Sequence, residues 1–213
     1  MSRTNLPATR VASLAMLLAA ALAGGCAMES TKRSEEIVKL TSVQTEVMRG
    51  CIEGVYASAD FEAARRRLPS DVAQATLEQE TDPSIARDPE IAAVLKVHPK
   101  LQVCRKTFLD GLTQSQPTLV PIYALVFNVT ENSLLEVMQK KRTWGDHVRD
   151  AKLLETKANA EVVEETKKIG SGLSQDPKAV QTRKEAADKA VGLYEQTEKT
   201  FATLRRPIIT KTN

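Results

Sequence analysis

The side chains best suited to chemistry in this sequence are three cysteines and two histidines, namely Cys26, Cys51, Cys104, His98 and His147. Because there are only two imidazoles, a histidine-based metal site or acid–base catalyst has to use one of them. The residues around these five positions therefore decide between reactive and structural roles.

His147 has two carboxylates close to it along the chain, Asp146 and Asp150. Such a group offers a surface contact to a cation. Thr143 and Asp146, however, have the spacing of a helix capping box, and Asp150 falls on the solvent face of the same predicted helix. We therefore expect His147 to be a polar surface residue, and the sequence predicts no metal site and no cofactor.

His98 precedes Pro99 at a predicted helix boundary, where a half-exposed side chain is typical. With Arg105 it lies close enough to Cys104 in sequence to suggest an activated thiol. A disulfide at Cys104 would abolish that thiol, so the two hypotheses exclude each other.

Motifs of nucleophilic and phosphate chemistry are missing from the sequence. No serine lies in Gly-x-Ser-x-Gly or Ser-x-x-Lys. The segment Gly170-Ser171-Gly172 follows no predicted strand and precedes no Gly-Lys-Ser/Thr, so it does not match a phosphate-binding loop. The sequence gives no positive support for an enzyme.

The residues leading to Cys26 have the organisation of an export signal. Arg3 and Arg10 precede an apolar run, and small residues then end that run at Cys26. The run is too short and ends too abruptly for a lasting transmembrane helix. We therefore interpret residues 1–25 as a leader that is removed on export.

The end of the leader, Leu22-Ala23-Gly24-Gly25-Cys26, resembles the lipobox of bacterial lipoproteins, with Leu22 one place further from the cysteine than is usual. The resemblance covers residues 1–27. It implies cleavage between Gly25 and Cys26 and lipidation of Cys26, whose several acyl chains give firm membrane attachment. Because Ala27 rather than Asp follows, it also implies the outer membrane of a diderm cell, with the protein facing the periplasm.

The charge of the exported chain argues against nucleic acid as a partner. Residues 1–25 contain Arg3 and Arg10 and no acidic residue, so without them the 30 basic and 27 acidic side chains become 28 and 27. A nearly neutral chain lacks the positive field that phosphate backbones attract. The partners that we expect are the membrane, through the anchor, and another envelope protein.

Cys51 and Cys104 remain as a pair once Cys26 is assigned to lipid. Each falls on the apolar side of a predicted helix, and an oxidising envelope favours a disulfide between them. Closing this loop would stabilise the fold by about 4 kcal/mol in the chain-entropy model. Two free buried thiols and a redox-active pair are the alternatives, and the second lacks the usual Cys-x-x-Cys spacing.

Helical periodicity dominates the sequence after residue 34. The apolar face of the first predicted helix consists of Ile37, Leu40, Val47, Cys51 and Val55. The apolar face of the helix that begins at Pro99 consists of Leu101, Cys104, Phe108 and Leu112. Start signals at Asp88-Pro89-Glu90, Thr143 and Asp176-Pro177 separate later helices. The most hydrophobic stretch, residues 117–138, predicts a central helix, with a buried strand over 119–129 as the alternative.

These patterns predict an all-α fold, an irregular bundle of about five to seven helices that ends in a long antiparallel helical hairpin. We expect a signal peptide at 1–25, a lipidated tether at 26–33, one helical domain at 34–206 and a flexible tail at 207–213. No composition shift or repeat divides the domain further.

The function that the sequence favours is that of a membrane-anchored envelope lipoprotein with a structural or adaptor role. The alternative is a carrier whose bundle holds an apolar small ligand, in which case residues 117–138 would line the pocket. An enzyme is the third hypothesis, and it requires a cleft in which His98 or His147 meets carboxylates or a thiol.

Overall fold

The computed structural model describes the backbone of residues 9–171 and 177–209, and the side chains of 31–171, 178 and 180–204. These parts contain six α-helices, no β-strand and three short 3₁₀ turns. In chain order the helices are α1 (Thr9–Ala57), α2 (Leu77–Glu80), α3 (Asp88–Ser115), α4 (Val120–Met138), α5 (Trp144–Gly170) and α6 (Pro177–Ile209).

The predicted all-α bundle is confirmed. The hydrophobic stretch at 117–138 forms a 3₁₀ turn followed by α4, so the strand alternative for 119–129 is wrong. Within the described residues, no helix combines the length and apolar character that crossing a membrane requires.

Local signals in the sequence set two of the helix starts. Thr143 caps α5 by accepting a hydrogen bond from the backbone N–H of Asp146 at 3.1 Å, as its spacing predicts. At α3 the cap lies one residue earlier than the Asp-Pro-Glu signal suggests. Arg87 is the capping position, and its backbone N–H donates to Glu90 Oε2 at 2.8 Å.

α3 runs without interruption through His98 and Pro99, where the sequence predicts a boundary between two helices. Proline removes one backbone hydrogen bond and costs about 3 kcal/mol inside a helix. Apolar residues before and after Pro99 are buried, including Leu95 and Leu101 at 4% and 2% exposure. Burial of both flanks therefore outweighs the local signal.

Two hydrophobic clusters form the core of the bundle, one at each end. The first includes Phe61, Leu95, Leu135, Trp144 and Phe201; the second includes Phe108, Leu119, Ala124, Phe127 and Tyr194. Along the chain, α3 contacts the first cluster and then the second, whereas α4 contacts the second and then the first, so α3 and α4 are antiparallel. For the same reason α5, which contacts the first cluster first, is antiparallel to α6. Both α5 and α6 pack on α4, and Arg183 of α6 pairs with Glu165 of α5 at 3.1 Å.

A polar layer separates the two clusters where α3, α4 and α6 meet. We define it as His98, Arg105, Asn128, Glu131 and Thr197. Within it, the Thr197 hydroxyl donates to Asn128 Oδ1 at 2.7 Å, and His98 contacts Glu131. The layer therefore connects the three helices by polar contacts near the middle of the bundle.

The packed face of α1 differs from the one that the sequence predicts. Of the predicted face, Ile37 is buried and Val55 packs against the first cluster, but Leu40, Val47 and Cys51 are exposed. Met48 and Ile52 pack against the clusters instead. The apolar residues of α1 spread too far round the helix for spacing alone to show which of them face the bundle.

The helix α1 also includes the backbone of the proposed tether, 26–33, and part of the proposed leader. The side chain of Cys26 lies outside the described residues, so cleavage after Gly25 and lipidation of Cys26 stay predictions. At the other end, α6 extends to Ile209, into the predicted tail 207–213, whose side chains also lie outside the described residues.

Candidate functional site

A cavity of about 210 Å³, which is partly open to solvent, lies between α1, α3, α4 and α5. Residues 68–72, in the segment between α1 and α2, line one side of it. An apolar cavity of about 150 Å³ is enough to admit benzene. The volume therefore suits a small organic molecule.

The central helix supplies much of the cavity wall. Five of its residues, Tyr123, Val126, Phe127, Thr130 and Leu134, face the space, and all five belong to the stretch 117–138 that the carrier hypothesis assigned to a pocket. Phe127 and Leu134 are otherwise buried in the two core clusters. The cavity is thus located at the boundary between the two clusters, next to α1 and α5.

Tyrosine side chains give the cavity polar atoms without charge. Burial raises the pKa of Tyr56 above its usual value, and it does the same for Tyr123. Both phenols are therefore neutral at ordinary pH. They combine an aromatic surface with a hydroxyl that can donate or accept a hydrogen bond.

Glu155 of α5 lines the cavity, and its environment disfavours the charged form of its carboxyl group. Burial is the main cause that raises the pKa of its carboxyl, and the nearby Asp71 carboxylate adds to it. Its Oε2 atom is buried and has no hydrogen-bond partner among the described residues. Asp71 itself has a counterion, Arg49, whose Nε lies 3.8 Å from Asp71 Oδ2.

His147 also lines the cavity, which corrects the prediction that it is a surface residue. Its side chain is 4% exposed, and Nδ1 shares a hydrogen bond of 2.9 Å with the Ser133 hydroxyl. Burial lowers its pKa to about 4, and the positive charges of Arg142 and Arg105 act in the same direction. His147 is therefore a neutral imidazole at physiological pH.

His98 lies in the polar layer next to the cavity and is completely buried, not half-exposed as the sequence predicts. Its Nε2 atom is 2.5 Å from Glu131 Oε2 and 3.7 Å from Glu198 Oε1. The ring of Phe201 stacks on its imidazole with a centroid distance of 3.7 Å. This group joins α3, α4 and α6.

Arg105 connects the polar layer to the cavity. Its guanidinium pairs with Glu131, and its Cζ atom lies 5.5 Å from the centre of the Phe127 ring, which also lines the cavity. Arg105 and His98 do not form a thiol-activating group, because the neighbouring Cys104 is bonded to Cys51.

The structure joins Cys51 and Cys104 in a disulfide between α1 and α3, with Cα atoms 5.7 Å apart. The predicted juxtaposition is thus present. Cys104 is 3% exposed, as expected for an apolar face, but Cys51 is exposed. Val43 and Val47 of α1 and Phe108 of α3 line an apolar pocket of about 220 Å³, also partly open to solvent, beside the bond.

The residues that sequence reasoning missed are Glu131, Glu155 and Glu198. Glu131 has a signal in the sequence, since the most hydrophobic helix has only two acidic residues and Glu131 is the one further from its C-terminal end. A charged side chain in such a position needs a buried partner. Glu155 and Glu198 have no such signal, because each lies on a helix rich in charged residues.

The cavity and the polar layer thus contain a neutral histidine, a carboxyl with a raised pKa, two neutral tyrosines and a buried ionic group. This arrangement can bind an organic molecule through apolar contacts and a few hydrogen bonds. Comparison of the chain with protein-family models, curated proteins and solved structures finds no match.

Proposed function

We propose that this protein is a lipid-anchored envelope protein whose helical bundle binds a small, largely apolar ligand. The observation that carries the proposal is the cavity of about 210 Å³ at the central helix. A pocket with an apolar wall and few polar groups is the usual design of a small-molecule site. Because the cavity lies at the central helix, we favour the carrier hypothesis over the adaptor hypothesis.

The wall favours a ligand with an aromatic or branched apolar body and one polar end. Phe127, Tyr56 and Tyr123 offer ring surfaces to the body. Glu155 offers a polar atom that lacks a hydrogen-bond partner in the described residues. Leaving such an atom unpaired costs free energy, so a ligand that supplies the missing hydrogen bond gains affinity.

The location is part of the same proposal. Acylation of Cys26 would hold the protein at the outer membrane with the bundle facing the periplasm, as the lipobox resemblance implies. An oxidising compartment is also the one in which the bond between Cys51 and Cys104 would persist.

Ligand-detected NMR on the purified protein tests the binding proposal, with toluene, phenol and cyclohexanol as probes. We expect saturation transfer to at least one probe. The substitution Ala158→Phe places a ring against the cavity, where Ala158 is 7% exposed, and should abolish the transfer. The smaller Ala158→Leu should reduce it.

The matched control is Ala202→Phe, which adds the same ring at an exposed position of α6. It should bind like the unmodified protein, and circular dichroism should show the same helix content in all variants. Absence of transfer to all three probes, or equal transfer in Ala158→Phe, would overturn the proposal.

The adaptor role is a second candidate, and one observation favours it. Leu40, Val43 and Val47 form an apolar row on α1 and are 45%, 56% and 64% exposed. An exposed row of this kind often marks a protein contact. Crosslinking in intact cells from a photoreactive residue at position 40 tests it: the adaptor hypothesis predicts one captured envelope protein, and Val47→Lys should prevent its capture.

A further inference from the structure

We propose that His98, Glu131 and Glu198 form a binding site for one divalent transition-metal ion. One ligand atom from each residue lies within 4.8 Å of the others. The three residues belong to α3, α4 and α6, so the site would join three helices at the polar layer. This inference is independent of ligand binding in the cavity.

The distances in the group are close to those of a coordinated ion. Zinc binds imidazole nitrogen and carboxylate oxygen at about 2.0 to 2.2 Å, which puts neighbouring ligand atoms of a tetrahedral site about 3.4 Å apart. The observed distances from His98 Nε2 are 2.5 Å to Glu131 Oε2 and 3.7 Å to Glu198 Oε1. Each of these two distances therefore has to change by less than about 1 Å to reach the tetrahedral spacing.

The charges of the group favour an additional cation. Glu131 and Glu198 bring two carboxylates to one side of the imidazole, and Arg105 is the basic side chain that pairs with Glu131. Glu131 is 1% exposed, and a buried carboxylate is stabilised by a cation close to it. The two carboxylates would therefore attract a divalent ion placed beside the imidazole.

The surroundings orient the three ligands. The Phe201 ring stacks on the His98 imidazole with planes 11° apart, which restricts the plane of the imidazole. Arg105 pairs with Glu131 through Oε1, so Oε2 faces His98. Hydrogen-bonded carboxylates with one oxygen directed at the ion are typical of metal sites.

Gln102 supplies a fourth ligand. Its side-chain nitrogen is 2.9 Å from His98 Nε2, and its amide oxygen is buried without a hydrogen-bond partner in the described part of the chain. Rotating the amide by half a turn exchanges the two atoms. The oxygen would then point at the proposed ion and complete a four-ligand site. Glu198 is 27% exposed, which leaves a path from solvent.

The ligand types select the class of metal. One imidazole nitrogen with carboxylate and amide oxygens suits Zn²⁺, Mn²⁺ or Fe²⁺. Ca²⁺ and Mg²⁺ prefer sites made of oxygen alone. We therefore use Zn²⁺ as the probe and Mg²⁺ as the comparison.

The test is isothermal titration of the full-length protein, purified in detergent and freed of metal with a chelator. We expect Zn²⁺ to bind at one equivalent per chain, with Mg²⁺ at least about a hundredfold weaker, and to raise the thermal unfolding midpoint. His98→Gln and the part-exposed Glu198→Gln should each weaken Zn²⁺ binding at least about tenfold, the second serving if the first fails to fold.

The matched control is His147→Gln, which removes the other buried histidine and should leave Zn²⁺ binding unchanged. Lack of saturable Zn²⁺ binding would overturn the proposal. Equal weakening in His147→Gln, or unchanged binding in both Glu198→Gln and His98→Gln, would overturn it as well. The NMR probes for the cavity report on ligand binding separately.

Discussion

Glu131 lies in the most hydrophobic helix of the bundle, and two basic side chains hold it there. His98 and Arg105 both reach it from α3, and it is 1% exposed. A buried ion pair contributes little net stability compared with apolar residues of the same size, but removing one partner leaves the other uncompensated. Removing Glu131 should therefore lower the stability of the fold by far more than the intact ion pair contributes to it.

Glu131→Ala should lower the free energy of unfolding by about 3–5 kcal/mol, because it leaves the Arg105 charge buried without its carboxylate. Urea denaturation followed by circular dichroism measures the change. Glu136→Ala is the control on the same helix, since Glu136 is 54% exposed and pairs with Arg142 near the surface, and it should cost less than about 1 kcal/mol. Similar losses in the two variants would contradict the expectation.

His147 should make stability depend on pH. Its pKa is about 4 in the folded protein and about 6.5 when unfolded, so the unfolded chain takes up the proton first as pH falls. The stability that comes from this pKa difference is fully present above about pH 6.5. About 2–3 kcal/mol of it should be lost by pH 4.5.

Urea titrations of the unmodified protein and His147→Gln at several pH values measure this effect. The variant retains a hydrogen-bonding side chain toward Ser133 and should lack the loss between pH 6.5 and 4.5. Glu90 contributes at lower pH, because its pKa is held at about 2 by hydrogen bonds from Arg87 and Arg67 despite its burial. Parallel curves for both proteins would show that His147 is not the cause.

The sequence predicts the cysteine pair and the cavity-lining helix, but it misplaces both histidines. The local neighbours of His98 and His147, Pro99 and Asp146, are typical of helix boundaries, and they indicate exposure. What buries the histidines is distant in sequence: Glu131 follows His98 by 33 residues, and Ser133 precedes His147 by 14. Local patterns do not contain such partnerships.

Among the elements, the start of α5 is locked against the segment between α2 and α3. The backbone N–H groups of Trp144 and Gly145 donate to the carbonyls of Ser84 and Asp82. A side chain on Gly145 would place its Cβ 2.7 Å from the backbone nitrogen and oxygen of Asp82. The close approach of two backbones therefore requires glycine at this position.

Gly145→Ala should destabilise the protein by about 1–3 kcal/mol, because the Cβ forces the two segments apart. Gly192→Ala is the control, since no atom lies within 4 Å of its Cβ position on α6. That change should stabilise by up to about 1 kcal/mol through helix propensity. Thermal denaturation distinguishes them, and a stabilised Gly145→Ala variant would refute the close-approach explanation.

The disulfide between α1 and α3 links two elements that are 53 residues apart at the bonded positions. Cys51→Ser should lower the unfolding free energy by about 4 kcal/mol through the entropy of the unfolded chain. Because Cys51 is exposed, the substitution leaves little packing defect. Under reducing conditions the unmodified protein should match the variant in urea denaturation, and a large remaining difference would point to another cause.

At the scale of elements, the helical fold and the cap of α5 are predictable because each depends on adjacent residues. The continuity of α3 through Pro99 and the packed face of α1 are not. Leu40 and Val47 have the same periodicity as buried residues and yet face solvent. Only the position of the neighbouring helices selects among the apolar faces of α1.

For the molecule as a whole, the polar layer between two apolar clusters defines how the helices align. Sliding α4 by one turn against α3 would bring Glu131 against apolar side chains and leave Arg105 without its carboxylate. Such an error is costly, so the layer favours one alignment. The cavity lies beside this layer, where α1 and α5 complete the wall.

Anchoring is a property of the whole protein in its cell, and Cys26→Ala tests it. We expect incorporation of a labelled fatty acid into the unmodified protein and its loss in Cys26→Ala, because the thiol is the proposed acylation site. Cys51→Ala should retain the label, and cell fractionation should keep it in the outer membrane. Labelling of Cys26→Ala, or no labelling of the unmodified protein, would refute the anchor.

The bond between Cys51 and Cys104 has a mechanical consequence if the chain is anchored at Cys26. Cys51 lies 25 positions after Cys26 in α1, about 38 Å of helix at about 1.5 Å per residue. Tension between membrane and bundle would pass along α1 and enter α3 through a covalent bond. The contacts that α1 makes with the bundle before Cys51, including those of Ile37 and Met48, would bear that load first, and the bond would keep α1 attached to α3 if those contacts broke.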